Sequence, residues 1–230
     1  MTILRKLLIS LFATAMISTS VLAGSIGFGA SGSFAVISAE GTESDKAGTA
    51  DTSNRKANAN NNAIIGSFFA EYIFDNGLAF GFDMIPGEAD VNSSKLSRTD
   101  ANPLAQIPVD TADDITRSAQ AQVSDVITYY AEVPVGGSGL YGKVGWTEMD
   151  VTTLEVMKSG QSYANTGVDG IMLGVGMKQN FEGSGMYYKI EGSYTDFDTL
   201  NLKDAQADKG NQISADLDVT KLTVALGYAF

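Results

Sequence analysis

The chain has 230 residues with no cysteine and no histidine, so it can form neither a disulfide nor a thiolate metal site, and it lacks the side chain that most often serves as general base or transition-metal ligand. Its 27 acidic residues against 15 basic ones give a formal net charge of -12, which argues against nucleic acid as a partner. The length fits one domain or one barrel.

At the N-terminus, Arg5 and Lys6 precede the uncharged run LLISLFATAMI and then STSVLA, which ends with Val21 and Ala23 at small-residue cleavage spacing. This is the pattern of a secretory signal peptide over residues 1–23, with the exported domain running over 24–230. The run is too short to span a bilayer as a helix, which takes about 20 residues. Next comes GFGASG, residues 27–32, a formal match to the G-x-G-x-x-G pattern of dinucleotide sites. That pattern needs a helix after the last glycine, but FAVIS after Gly32 and Ser33 continues a strand. No cofactor is expected, and Gly27 and Gly29 read as positions facing a crowded interior.

Eight strands are predicted, over 25–37, 63–74, 78–86, 125–134, 139–149, 169–179, 185–197 and 216–230, with a turn of helix near Asp113 to Ala121. The connections 38–62, 87–124, 150–168 and 198–215 are long and polar, and the first two read as solvated, disordered loops. Those at DNG (75–77), VGGS (135–138) and NFEGS (180–184) are short hairpin turns. Long and short alternate strictly, as when up-and-down strands put every second connection on the same rim.

Within each strand the bulkier apolar residues share one parity, for example Ile171, Leu173, Val175 and Met177, and no charge falls among them. Glu71, Asp83, Glu132, Lys143, Lys178, Lys189, Glu191 and Lys221 all lie on the opposite parity. The rest of that polar face is mostly Gly, Ala, Ser and Thr, which suits the inside of a narrow tube better than the water side of a soluble barrel. The fold class is therefore an all-β, eight-stranded antiparallel up-and-down transmembrane β-barrel, with four inward acids and four inward lysines forming a paired plug.

The final strand, KLTVALGYAF, places Leu222, Val224, Leu226, Tyr228 and Phe230 at alternate positions and ends on an aromatic. It resembles the terminal-strand assembly signal of Gram-negative outer-membrane proteins. Residues 24–230 as a whole resemble the eight-stranded barrels of the OmpA, OmpX and opacity (porin-family) type, in pattern rather than in a diagnostic motif. The resemblance implies the cell outer membrane, contact with its lipid and lipopolysaccharide, and insertion by the barrel assembly machinery. It stops at the eighth strand, so the peptidoglycan-binding domain of OmpA itself is expected to be absent.

Aromatic girdles are expected from Tyr72, Phe74, Phe80, Tyr188, Tyr228 and Phe230 on the periplasmic side, and from Phe34, Tyr129, Trp146 and Tyr194 on the outer side. The acidity is expected on the outer, long-connection side. There Asp196, Asp198, Asp216 and Asp218 could hold a divalent cation between the protein and lipopolysaccharide phosphates. Enzymes on similar barrels rely on a catalytic histidine, which this chain lacks. The function expected is a non-enzymatic envelope-structural or surface-contact barrel. The alternatives are a narrow or gated channel for small or apolar solutes, and a secreted lipocalin-like binder.

Overall fold

The computed structural model describes residues 24–44, 54–91, 96–100, 115–156, 165–203 and 212–230. The signal-peptide reading and the tips of the four long connections lie outside the described residues. Ten strands are formed: β1 (Gly24–Ser44), β2 (Asn54–Phe74), β3 (Ala79–Asp90), β4 (Leu96–Asp100), β5 (Ile115–Val135), β6 (Leu140–Val156), β7 (Thr166–Asn180), β8 (Met186–Phe197), β9 (Leu200–Lys203) and β10 (Gln212–Ala229). Neighbours pair antiparallel in the order β1-β2-β3-β5-β6-β7-β8-β10, and β10 pairs back onto β1, which closes an eight-stranded ring. β4 adds to β5 beyond β3, and β9 adds to β10 beyond β8. They are upper pieces of two walls rather than extra staves. Among the described residues there is no helix.

The lower part of every wall obeys the alternation that defines an outward and an inward face. Phe68, Val144 and Leu226 are 58%, 48% and 49% exposed on the outside, while Glu71 and Glu132 are 0% and 1% exposed inside. The short turns follow from local chemistry. At DNG, Gly77 takes a φ of +85° and the Asn76 side chain accepts from the Leu78 amide at 3.0 Å. Tyr72 stands on the outward parity expected of it, but it is buried: its ring packs edge-on against Phe74 at 4.9 Å and covers Gly24.

The upper part corrects the sequence reading. β1 and β2 pair continuously up to Ser44↔Asn54, so most of the first polar connection is strand. β5 and β6 pair up to Ser118↔Val156, and Ile115 to Ala121 is strand where a turn of helix was expected. The physical reason is a reversal of facing. In β6 the outward residues change from Leu140, Val144 and Trp146 to Asp150, whereas the buried ones change from Lys143 and Thr147 to Met149 and Val151. In β10 the same change runs from Leu222 outside to Asp216 and Asp218, with Leu217 and Val219 packed inside.

A strand whose outer face meets water and whose inner face is small or sparsely apolar has the composition of a loop. Residues 56–62 (KANANNN) are the clearest case. At about 3.3 Å per residue and a tilt of about 40°, strands of 21 residues such as β1, β2 and β5 rise roughly 50 Å. The apolar band of such barrels is only about 25 Å tall, so the upper walls stand clear of it.

Register is adjusted where the facing reverses. β5 bulges between Ser124 and Ile127, with Asp125 at a φ of +51°. The extra residue moves the inward positions from even (Thr128, Tyr130, Glu132) to odd (Ala121, Val123).

The reversal gives a paired prediction. Leu226→Lys, in the middle of the band, should lower folding stability in lipid vesicles by ~2–4 kcal/mol. Thr220→Lys, outward but above the band, should change it by no more than ~1 kcal/mol. Urea titrations of both variants in vesicles check this.

Candidate functional site

The interior is built in three levels. The lowest is an ion-pair lattice centred on Glu71. Its two carboxylate oxygens accept from Lys178 at 3.0 Å, Lys189 at 2.8 Å, Tyr187 at 2.8 Å and Tyr130 at 2.8 Å. Lys189 also donates to Glu132 Oε1 at 2.8 Å, and Lys178 lies 2.7 Å from Glu132 Oε2. Two acids and two lysines thus form a closed square, with the Lys189 ammonium over the Phe69 ring at 4.4 Å.

A second pair joins it from the side. Lys143 donates to Glu191 at 2.9 and 3.2 Å and reaches Glu132 at 4.0 Å, and Tyr141 donates to Glu191 at 3.0 Å. Charges withdrawn from water this completely are tolerable only when paired and hydrogen-bonded, and each of these carboxylates has both. The lattice fits because glycines face the tyrosines. A Cβ on Gly81 would lie 2.5 Å from the Tyr130 ring, and one on Gly176 would lie 2.5 Å from that of Tyr141. The first two glycines of GFGASG belong to the same scheme: a Cβ on Gly27 would meet Tyr187 Oη at 2.6 Å, and one on Gly29 would run into Phe69. Gly32 faces outward into open space.

The middle level is a cavity of about 20 Å³, room for roughly one water. Hydroxyl pairs line it, with Ser31 to Ser67 at 2.6 Å and Ser33 to Thr223 at 2.8 Å, and Ser67 donates to Asp83 at 2.7 Å. Asp83 and Lys221 both border this cavity, and neither is within ion-pair distance of an opposite charge among the described residues. Of the eight inward charges, six therefore meet in the lattice while Asp83 and Lys221 stand apart above it.

The uppermost level is apolar. Met149, Val151, Val168 and Phe197 form a core against which Ala121, Val123, Val126, Leu200, Leu217 and Val219 pack. Sequence reasoning missed this core, and it missed the three tyrosines that hold the carboxylates. The tyrosines were findable, since Tyr130, Tyr141 and Tyr187 share the parity of the inward charges.

The outer rim holds the four aspartates singled out above. Asp196 and Asp218 face each other in register across β8 and β10, and Asp216 faces Glu40 of β1. Thr199 donates to Asp216 at 2.7 Å, while Asp198 sits at the break after β8 with its amide on the Asp169 carbonyl. Among the described residues no group of three or more aspartate or glutamate side chains is placed to hold a metal ion. The terminal-strand residues Leu222, Val224, Leu226, Tyr228 and Phe230 all face outward, Phe230 edge-on to Phe28 at 5.9 Å.

No protein-family model matches the chain, and no protein of curated function matches it in sequence. Solved structures do. The outer membrane protein OprG from Pseudomonas aeruginosa superposes with a TM-score of 0.50 at 12% identity, over 91% of this chain and 97% of its own. The outer membrane protein AlkL, solved in lipid bilayers, gives 0.46 at 13% identity, over 91% of each chain. The outer membrane protease OmpT from Escherichia coli gives 0.49 at 10%, over 93% of this chain and 100% of its own. At such identities the likeness to OprG speaks to the fold: this chain has the fold of an outer-membrane β-barrel.

The lattice makes Glu71 the side chain whose loss should be felt most. Glu71→Ala leaves two buried lysines short of a partner and should cost about 3–5 kcal/mol. Asp83→Asn keeps a hydrogen-bonding group beside Ser67 and should cost on the order of 1 kcal/mol. Unfolding in detergent micelles, followed by the fluorescence of the single tryptophan Trp146, compares the two.

Proposed function

We propose that the protein resides in the outer membrane as a non-enzymatic, non-conducting barrel whose work is done by the part standing outside the bilayer, as a structural or surface-contact element of the envelope. What supports this is the set of side chains found in the lumen at three heights: a salt-bridged lattice, a cavity for about one water, and an apolar cluster contributed by β5 to β10. Eight strands enclose a tube that side chains can fill.

Function then falls to the outside of the upper walls, where exposed Glu40, Asp150, Asp196 and Asp216 give an acidic surface. A partner meeting that surface would be basic, or would reach it through divalent cations, and its binding would weaken with salt. The absence of any histidine, and of a nucleophile beside a base in the sequence, supports the non-enzymatic reading.

Planar-bilayer recording of the purified protein is the test. No step conductance is expected from the wild-type protein or from Lys143→Gln, because the apolar level remains shut in both. Regular conductance steps in either would overturn the closed-barrel reading. Recovery of the protein in the outer-membrane fraction, with gel migration that shifts on heating, is expected alongside. Recovery in the soluble fraction would remove the location.

A further inference from the structure

Six of the eight inward charges are balanced in the lattice, and Lys221 and Asp83 have to be balanced in another way. Lys221 of β10 stands in register with Ser193 of β8 and Ala35 of β1. Its ammonium does not bond to Ser193, whose buried hydroxyl has no hydrogen-bond partner among the described residues. The lysine borders the middle cavity instead. Two carboxylates border the same space. Glu191 is already engaged by Lys143 and Tyr141. Asp83 of β3 lies across the cavity, too far from Lys221 for a direct ion pair.

The hydroxyls around the cavity are matched among themselves. Ser67 gives its single proton to Asp83 at 2.7 Å, so in the 2.6 Å contact between Ser31 and Ser67 it is Ser31 that donates. Ser33 bonds to Thr223 at 2.8 Å, and Thr128 to Thr147 at 2.9 Å. What is left is an ammonium with protons to give and a carboxylate with lone pairs to fill, facing one space of about 20 Å³. Inside a protein such groups are costly unless they are bonded. The charges of Lys221 and Asp83 cancel, so an ion of either sign would unbalance the site. The occupant that fits is neutral, accepts from one side, donates to the other and is no larger than one water.

We propose that the cavity is a binding site for one ordered water that accepts from the Lys221 ammonium and donates to the Asp83 carboxylate, joining the two as a water-mediated ion pair. Its second proton goes to the Ser31 oxygen, whose own proton is committed to Ser67. That makes three hydrogen bonds, the usual number for an enclosed water. The inward charges are then all balanced, six by direct contact and two through the water.

The test uses the full exported chain in lipid vesicles, isotope-labelled at the lysine side-chain nitrogens and the aspartate carboxyl carbons, and solid-state NMR with water itself as the probe. Lys221→Met identifies the Lys221 signal by its loss, and Lys221→Arg does so if the first variant fails to fold. Magnetisation should pass from water to the Lys221 nitrogen, and the distance from that nitrogen to the Asp83 carboxyl carbon should exceed that of a direct ion pair. In urea titrations, Asp83→Asn, Lys221→Met and the double variant should show a coupling of at least ~3-fold in the folding equilibrium constant. No transfer from water, a direct-contact distance, or a smaller coupling would each overturn the proposal. These results do not depend on what the upper surface contacts.

Discussion

In hydrocarbon a backbone amide or carbonyl has nothing to bind except another part of the chain. A sheet can satisfy that condition only by closing on itself, and here the pairing of β1 with β10, from Gly27↔Ala229 to Ser44↔Gln212, makes the closure. Closure at eight strands leaves a bore of side-chain width, so every inward position must be either small or part of a fitted cluster. Glu71, Glu132, Lys178 and Lys189 are that cluster, and the inward glycines opposite Tyr130, Tyr141 and Tyr187 are the space it needs. The lattice and the glycines are one adaptation seen from two sides.

The same constraint lapses above the band, and the chain records the change residue by residue. Where lipid gives way to water, the outer face turns from Leu222 to Asp218 and Asp216, while the inner face turns from Lys221 to Val219 and Leu217. The lower barrel keeps its polar groups inside and the upper barrel keeps its apolar groups inside, within single continuous strands. An upper barrel with its own core is a platform that can stand outside the membrane without depending on it. The proposed contact role rests on that half.

The lower barrel was legible in the sequence because two independent signals agreed there: strict alternation of long and short connections, and charges confined to one parity. Lys143 opposite Val144, or Glu191 beside Ile190, leaves little freedom of register. The upper walls were not legible, since KANANNN has no apolar face and reads as a solvated loop until β1 is seen beside it. The apolar upper core was hidden for a related reason. Val151, Val168 and Leu217 fall among polar residues, in stretches that a fixed rule of apolar outside and polar inside cannot parse. Six of the eight charges expected inside meet in ion pairs, but spacing along a strand does not tell which would pair, and Asp83 and Lys221 stand apart from the other six.

The central claim is that the greasy stripes of the lower walls touch lipid and the polar stripes above them touch water. Because the chain has no cysteine, single cysteines can be placed along one outward face of β10, at Asp216, Asp218, Thr220, Leu222, Val224 and Leu226, and labelled with an environment-sensitive fluorophore in vesicles. The account predicts quenching by nitroxide-bearing lipid, and none by aqueous iodide, at Leu222, Val224 and Leu226, with the reverse at Asp216 and Asp218. Iodide quenching at Leu222, Val224 and Leu226 without quenching by the lipid probe would contradict it.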